Sequence, residues 1–411
     1  MVGMKSRYLE SAIEELCFED HKMAFVSGPR QCGKTTLGRL MLRGRGHTAY
    51  FNWDDIAFRR QWIRDPRGIV PSAPGGAVPR VVLDEVHKAP KWKRMLKGIH
   101  DTLSIPADIL VTGSARLNVY RRGGDSLVGR YYHFRLHPFS VREWETPEAP
   151  TPEQCLDMLR LHSGHAPHGR CLETLEAMMA FGPFPEPLIQ RDPRKAGLWR
   201  RSRVERVIRE DVRDMSRTTE IGQIELLAAL LPERVGSPIT LARLQELMEV
   251  SHPTIKRWLT FLQELYYVFL VRPYSRNVVR SIRKEAKPYL WDYAEVDEES
   301  ARFENLVGSH LLKACDFWTD TGRGIFDLRC LRDKDKREID FLIVKDGKPW
   351  LPVEVKLSAD AVAPEWNRFL GFLPCRFALQ LCRDPDVWRV HDYANGRVVV
   401  ASADDALYCF P

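Results

Sequence analysis

The sequence predicts an α/β protein: a parallel sheet with helices on both faces, then a helical region, then a smaller α/β segment. Three observations predict it. Short apolar runs alternate with helical stretches from Lys22 to Val111, the pattern of strands that pair in parallel through helical crossovers. A helix–turn–helix pattern with basic flanks occupies the middle, and strand-like runs around an Asp-Gly turn dominate the end. At 411 residues the chain is too long for one ordinary core, so several domains are expected.

The bulk composition narrows the class. Hydrophobic residues make up 44% and charged residues 28%, the balance of a globular chain. No apolar run reaches the ~18 residues of a membrane span, so no membrane partner is expected. The N-terminal stretch has no apolar signal-like core and reads as the start of a folded domain. Nine cysteines without a Cys-x-x-Cys pair read as free thiols, which makes a reducing cytoplasm the expected location. The net charge of +7 permits nucleic-acid binding without establishing it. The basic excess is concentrated in Arg191–Arg213 and Arg272–Lys287. Each run is equally readable as a solvated helix face.

The elements follow in order. Lys22–Val26 is an apolar strand leading into Gly28-Pro29-Arg30-Gln31-Cys32-Gly33-Lys34-Thr35, which fits GxxxxGK[ST] and opens an amphipathic helix with Thr36. Glycines expose backbone N–H groups to phosphate oxygens, and the helix start adds its positive dipole end. Lys34 is placed to reach β- and γ-phosphates, and the Thr35 hydroxyl to ligate Mg²⁺. Thr48–Phe51 is the next strand, and Pro71–Pro79 is a surface loop. Arg80–Leu83 then delivers Asp84 and Glu85 to a strand end, where parallel sheets place ligands. Asp84 is the expected Mg²⁺ partner and Glu85 the expected base for the attacking water. Asp108–Val111 leads to Thr112 and Ser114, small polar residues suited to touch the γ-phosphate or the water. After Ser126, Arg130 is a candidate for stabilising transition-state charge, with a structural salt bridge as its other reading.

From Pro138 to about Glu220 the pattern is mostly helical, broken at His162–Arg170 and at Phe181–Pro187. His162, His165, His168 and Cys171 carry a three-residue spacing that zinc ligands sometimes use, but no partner cluster accompanies them. Trp53, Trp62, Trp92, Trp199 and Trp258 read as packing residues. Ile239–Leu259 reads as helix–turn–helix, with Leu241, Leu244 and Leu247 inward and Thr254, Lys256 and Arg257 near the exposed start of the second helix. The strand-like run Tyr266–Arg272 suggests a winged variant, which serves either in a DNA groove or as a packing module.

The last segment starts with the apolar helix Phe303–Leu312. Strands are expected at Phe326–Arg332, Glu338–Lys345, Trp350–Lys356, Arg376–Gln380 and Arg397–Ala401, with a turn at Asp346-Gly347. Asp340 and Glu354 fall on consecutive strands, and Lys356 shares a face with Glu354 because strand side chains alternate. With Glu304 from the preceding helix they form a set able to hold Mg²⁺ beside a scissile phosphate, Lys356 polarising the water. The bland reading is a salt-bridged hairpin face. Gln380 is a weaker member of the set.

The series SGPRQCGKTTL, VVLDEVHK, VTGSARL, SLVGRYYHFRLHPFS and FGPFPEP resembles the bacterial and archaeal AAA-type ATPases that join an ATPase module to a C-terminal domain of unknown function. The likeness covers nearly the whole chain. It implies ATP and Mg²⁺ as cofactors, with Lys34, Thr35, Asp84 and Glu85 at the Walker A and B positions. It also implies Thr112–Ser114 on the sensor strand and Arg130 in the Gly-Arg pair after it. Cys32 inside the loop is a modest departure at a backbone-contributing position. The last domain resembles the PD-(D/E)XK nuclease fold, with Glu304, Asp340, Glu354 and Lys356 matching its pattern.

The expected fold is therefore a P-loop NTPase parallel sheet, a helical/winged-helix domain and a small restriction-endonuclease-like α/β domain. The expected divisions are residues 1–137, an AAA-like ATPase core; 138–222, a helical lid or linker; 223–294, a winged helix–turn–helix; and 295–411, the nuclease-like domain. Three function classes stand open: an ATP-regulated DNA-processing enzyme with a metal-dependent nuclease, an ATPase whose last domain only binds nucleic acid, and a regulatory switch that binds protein partners. DNA is the expected macromolecular partner. Monomer and homo-oligomer are both compatible with the pattern.

Overall fold

A computed structural model describes residues 5–114, 127–161, 170–212, 220–275 and 285–411. The chain forms two compact units, Met1–Pro138 and Phe139–Pro411. The expected divisions near residues 222 and 294 both fall inside the second.

The first unit is built on five parallel strands: β1 Met23–Ser27, β2 Thr48–Asn52, β3 Arg80–Asp84, β4 Asp108–Gly113 and β5 Tyr131–Arg135. Their order across the sheet is β2-β3-β4-β1-β5. The central strands are buried along their whole length, which explains their continuous apolar runs. Helices α1 Leu9–Ile13, α2 Lys34–Leu42, α3 Ile56–Arg64 and α4 Trp92–Thr102 flank the sheet. Phe25, Leu83 and Val111 pack with Trp53, Trp62 and Trp92 in one core, so these tryptophans are packing residues, as are Trp199 and Trp258 in the second unit. The parallel arrangement brings the ends of β1, β3 and β4 to one edge, where Ser27 pairs with Gly113 and Asp84 with Thr112.

β5 was not expected as a strand. Its exposed and half-exposed Tyr131, Tyr132, His133 and Arg135 hide it, because an edge strand buries little. Strand β5 starts beside Met23, at the opposite end of β1 from the glycine-rich loop.

The second unit opens with helices α5 Val141–Glu145, α6 Pro152–Leu161, α7 Arg170–Phe181, α8 Pro185–Gln190 and α9 Pro193–Glu205. Buried Arg203 of α9 and the carboxylates Asp292 and Glu295 form an internal network, so part of the Arg191–Arg213 run is structural. The histidines at 162, 165 and 168 lie outside the described residues, and Cys171 is buried in α7. All nine cysteines are unbridged and buried. Next come α10 Ile221–Leu230, α11 Leu241–Met248 and α12 His252–Glu264. The inward positions of α11 are Leu244 and Met248, four apart; Leu247 is 58% exposed, a correction to the expected Leu241/Leu244/Leu247 face.

The rest is one eight-stranded mixed sheet: β6 Val268–Pro273, β7 Lys287–Leu290, β8 Phe326–Arg332, β9 Glu338–Lys345, β10 Lys348–Lys356, β11 Phe377–Cys382, β12 Trp388–Tyr393 and β13 Gly396–Ser402. Its order is β12-β13-β11-β10-β9-β8-β6-β7. β6, expected as the wing of a separate domain, pairs with β7, a strand not expected, and joins this sheet through parallel pairing of Arg272 and Pro273 with β8. Helix α13 Glu299–Asp320 runs for 22 residues and covers one face; a Cβ at Gly308 would meet the Phe341 ring at 2.8 Å. On the other face Leu342 packs with Trp366 and Phe369 of α14 Trp366–Phe372. Helix α15 Ala403–Leu407 follows β13. Among the described residues no helix is long and apolar enough to cross a membrane.

Candidate nucleotide site and carboxylate cluster

The glycine-rich loop joins β1 to α2. Gly28 is required by close approach: a Cβ there would lie 2.3 Å from the Leu136 carbonyl oxygen. Gly33 is required by conformation, since its φ of 102° turns the chain into α2 in a region side chains disfavour. Gln31 is also left-handed, at φ 62°. Cys32 is buried, with its thiol 3.5 Å from the Leu136 carbonyl. Buried Arg7 staples the loop from below, donating at 2.6 Å to the carbonyls of both Cys32 and His137. Nothing local in the sequence marked Arg7. Pro29 is buried and Arg30 half-buried.

Lys34 is 7% exposed and folds back over the loop, donating to the carbonyls of Gly28 at 2.9 Å and Pro29 at 2.7 Å. Thr35 donates its hydroxyl to Asp84 Oδ2 at 2.7 Å. The same oxygen accepts from the Tyr50 hydroxyl at 2.7 Å, and Asp84 Oδ1 accepts from Thr112 at 2.7 Å. Tyr50 was missed by sequence reasoning; burial, then the hydrogen bond to and the charge of Asp84, push its hydroxyl up to about 12. Glu85 sits at φ 60°, 3.5 Å from both His87 Nε2 and Lys88 Nζ. Burial raises its pKa, opposed chiefly by the Lys34 charge. Thr36 and Ser114 are half-buried at the same edge of the sheet.

The donor set suits a nucleoside triphosphate and Mg²⁺. Thr35 and Asp84 already lie within hydrogen-bond distance, and Lys34 has only two neutral carbonyls to release. Arg130 is a correction. It heads β5 at the far end of the sheet, and its guanidinium is held by Asp101 at 2.6 and 2.9 Å. Parallel strand direction separates it from the loop, so the structural salt bridge is its reading within the chain.

The second constellation lies in the mixed sheet. Val353 pairs with Phe341 across antiparallel β10 and β9, which sets Glu354 beside Asp340. The Asp340 N–H donates to Glu354 Oε2 at 3.2 Å, and the Val355 N–H donates to Asp340 Oδ2 at 3.0 Å. Lys356 lies 2.7 Å from Glu354 Oε1. Glu304 of α13 accepts from the Tyr289 hydroxyl at 2.6 Å. The expected residues therefore do converge.

A further residue joins them. Lys287 of β7, 2% exposed, places Nζ 3.1 Å from Glu338, 3.3 Å from Asp340 and 3.6 Å from Glu304. Burial opposes its charge, but Glu304, Asp340 and Glu338 outweigh that and raise its pKa. Burial first, and the Asp340 charge second, raise Glu304 to about 7 and Glu354 to about 8. The signal available in the sequence was a lysine opening the short run Lys287-Pro288-Tyr289-Leu290, whose other residues are not charged.

These residues do not fit a divalent cation as they stand. The ammonium of Lys287 faces both Glu304 and Asp340, and among the described residues no group of three or more His, Cys, Asp or Glu is arranged to hold a metal. Gln380 aligns with Glu354 on β11, but its amide holds α14: it accepts from Ala363 N and Trp366 Nε1 and donates to the Ala361 carbonyl.

Comparison with known proteins agrees with the first site. Residues 20–145 match the family model described as an AAA domain, and this segment is an AAA-type P-loop ATPase domain. Residues 172–294 and 299–382 match two families each described as a domain of unknown function. Uncharacterized proteins of Mycobacterium bovis and Mycobacterium tuberculosis are each 22% identical over 270 residues, covering 66% of this chain and 54% of theirs. The chain thus spans about half the length of these mycobacterial relatives. An uncharacterized protein of Haemophilus influenzae is 20% identical over 368 residues, covering 83% of this chain and 84% of its own. Among solved structures, a Pif1 helicase from Bacteroides in complex with ADP-AlF3 and ssDNA is 14% identical, with 42% of this chain and 49% of that chain covered at a TM-score of 0.22. That likeness is too slight to carry an argument.

Proposed function

We propose that the AAA-type domain hydrolyses ATP with Mg²⁺ and that the nucleotide state changes how the second unit holds DNA. One observation carries the first half: the Asp84 carboxylate is gripped by Thr35 and Thr112 beside a loop whose lysine rests on its own carbonyls. ATP is the substrate. Its β- and γ-phosphate oxygens take the place of the Gly28 and Pro29 carbonyls as partners of Lys34, while the loop N–H groups and the start of α2 receive the remaining phosphate charge. Thr35 and Asp84 would hold Mg²⁺, which would supply neutralisation of the charge developing on the phosphates. Water attacks the γ-phosphorus in line, the bond from that phosphorus to the β,γ-bridging oxygen breaks, and ADP departs. Glu85 orients the water and accepts its proton, a role its raised pKa suits.

The DNA half is supported by the helix pair α11–α12. Helix α12 leaves His252, Lys256 and Arg257 exposed near its start, and α9 exposes Arg194, Lys195 and Arg201. Helix α12 is the candidate for a major groove and α9 for phosphate contacts. The test is ATP turnover together with DNA titrations across salt, with and without ATP. Lys34→Ala should lose nucleotide binding and turnover, and Glu85→Gln should bind ATP but turn it over at least ~100-fold more slowly. Lys256→Ala/Arg257→Ala should lower DNA affinity and reduce the salt slope by about 2. Unchanged turnover in Lys34→Ala refutes the ATPase assignment. No DNA binding at low salt refutes the second half and favours a switch acting on protein partners.

A further inference from the structure

The carboxylate cluster of the second unit contains its own cation. Three carboxylates, from α13 (Glu304) and β9 (Glu338 and Asp340), point at one ammonium, that of Lys287. An ammonium has three N–H donors and no acceptor. Glu338 at 3.1 Å and Asp340 at 3.3 Å lie within hydrogen-bond distance of it, and Glu304 at 3.6 Å completes the group as an ion pair. Other contacts hold these carboxylates in place. Asp340 Oδ2 receives the Val355 N–H, Glu304 Oε1 receives the Tyr289 hydroxyl, and Glu354 receives the Asp340 N–H on one oxygen and Lys356 on the other.

A divalent ion shared by Asp340 and Glu304 would need the oxygens that face this ammonium, Asp340 Oδ1 and Glu304 Oε1. Mg²⁺ requires near-octahedral oxygen ligands at about 2.0–2.1 Å. It cannot take Asp340 and Glu304 as shared ligands while a buried ammonium lies between them. Nor does Lys287 have water to retreat to, since it is 2% exposed on a strand buried along its length.

We propose that Lys287 is a resident substitute for the divalent cation, so that this unit keeps the carboxylate frame of a metal site but excludes the metal and does not cleave nucleic acid by metal-assisted hydrolysis. The inference does not rest on the ATPase reading. Lysine supplies the cluster with one positive charge fixed in the chain, which makes the fold around Glu304, Asp340 and Glu354 independent of metal supply. Lys356, half-exposed beside Glu354, is then an ion-pair partner rather than a water-polarising group.

The test is Mn²⁺ binding to the nucleotide-free full chain, read by electron paramagnetic resonance. Wild type and Asp340→Asn should bind Mn²⁺ equally, because the cluster takes none. Lys287→Ser should gain one Mn²⁺ per chain, lost again in Lys287→Ser/Asp340→Asn. An Asp340-dependent Mn²⁺ in the wild type overturns the proposal. So does a folded Lys287→Ser that gains no Mn²⁺. Should Lys287→Ser fail to fold, restoration of its circular dichroism by Mn²⁺ in an Asp340-dependent way supports the substitution. Without that restoration, Lys287→Gln decides by the same criterion, gain of the Asp340-dependent ion supporting and its absence overturning.

Discussion

Asp84 shows how much one carboxylate depends on its neighbours. Thr35, Tyr50 and Thr112 each donate to it at 2.7 Å. In the proposed Mg²⁺ site Thr35 would partly release Asp84 Oδ2, and Tyr50 would remain to fix the carboxylate's direction. A hydrogen bond to a charged group contributes about 1.5–3 kcal/mol. Tyr50→Phe removes that donor and keeps the ring. Its expected outcome is roughly a tenfold rise in the Mg²⁺ concentration giving half-maximal ATP turnover, with the melting temperature lowered by roughly a few degrees. Turnover measured across Mg²⁺ concentrations checks it; a curve superimposing on the wild type would remove Tyr50 from the site. Lys287 makes the complementary point, since its role depends wholly on residues distant in the chain.

At the scale of elements, the loop between β1 and α2 is shaped by its neighbour β5 as much as by its own glycines. The Leu136 carbonyl, just past β5, fills the space a Gly28 side chain would need. Gly28→Ala should push the loop off that carbonyl at a cost of about 1–3 kcal/mol. Thermal unfolding of the first unit should come earlier and nucleotide affinity should fall, measured by calorimetry with and without ATP. An unchanged affinity would mean that the loop adjusts freely. This contact also marks what the sequence could express. The strand–loop–helix at Gly28–Thr35 was legible because backbone chemistry dictates residue types within eight consecutive positions. Strands β5 and β12 were not, because their half-exposed edge positions carry mixed polar and apolar residues. The placement of Arg130 was illegible for the same reason: it immediately precedes β5, and with β5 unrecognised nothing showed that it lies at the starting end of the parallel strands. Asp340, Glu354 and Lys356 were legible from strand alternation, whereas Lys287 needed the pairing of β7 with β6 and of β6 with β8.

For the whole molecule, buried carboxylates make stability pH-dependent. Burial first, then the Asp292 charge, raises Glu295 to about 7, and Glu354 is raised to about 8 by burial and Asp340. Asp292 is also raised by burial. A group with a raised folded pKa binds more protons folded than unfolded, so its contribution is present at low pH and is lost as pH rises through the folded value. His310 works the other way, since burial lowers it to about 4. Its contribution is lost as pH falls and is fully present above the ordinary histidine range. Between pH ~6.5 and ~8.5 the carboxylates therefore dominate, and stability should fall as pH rises, by roughly 1–3 kcal/mol. Denaturation of the nucleotide-free chain across that window measures the slope. Glu295→Gln, which keeps the volume but cannot ionise, should make it shallower, Glu354 keeping the remainder. Parallel slopes in variant and wild type would show that Glu295 stays ionised, and that Arg203 rather than a proton balances its charge.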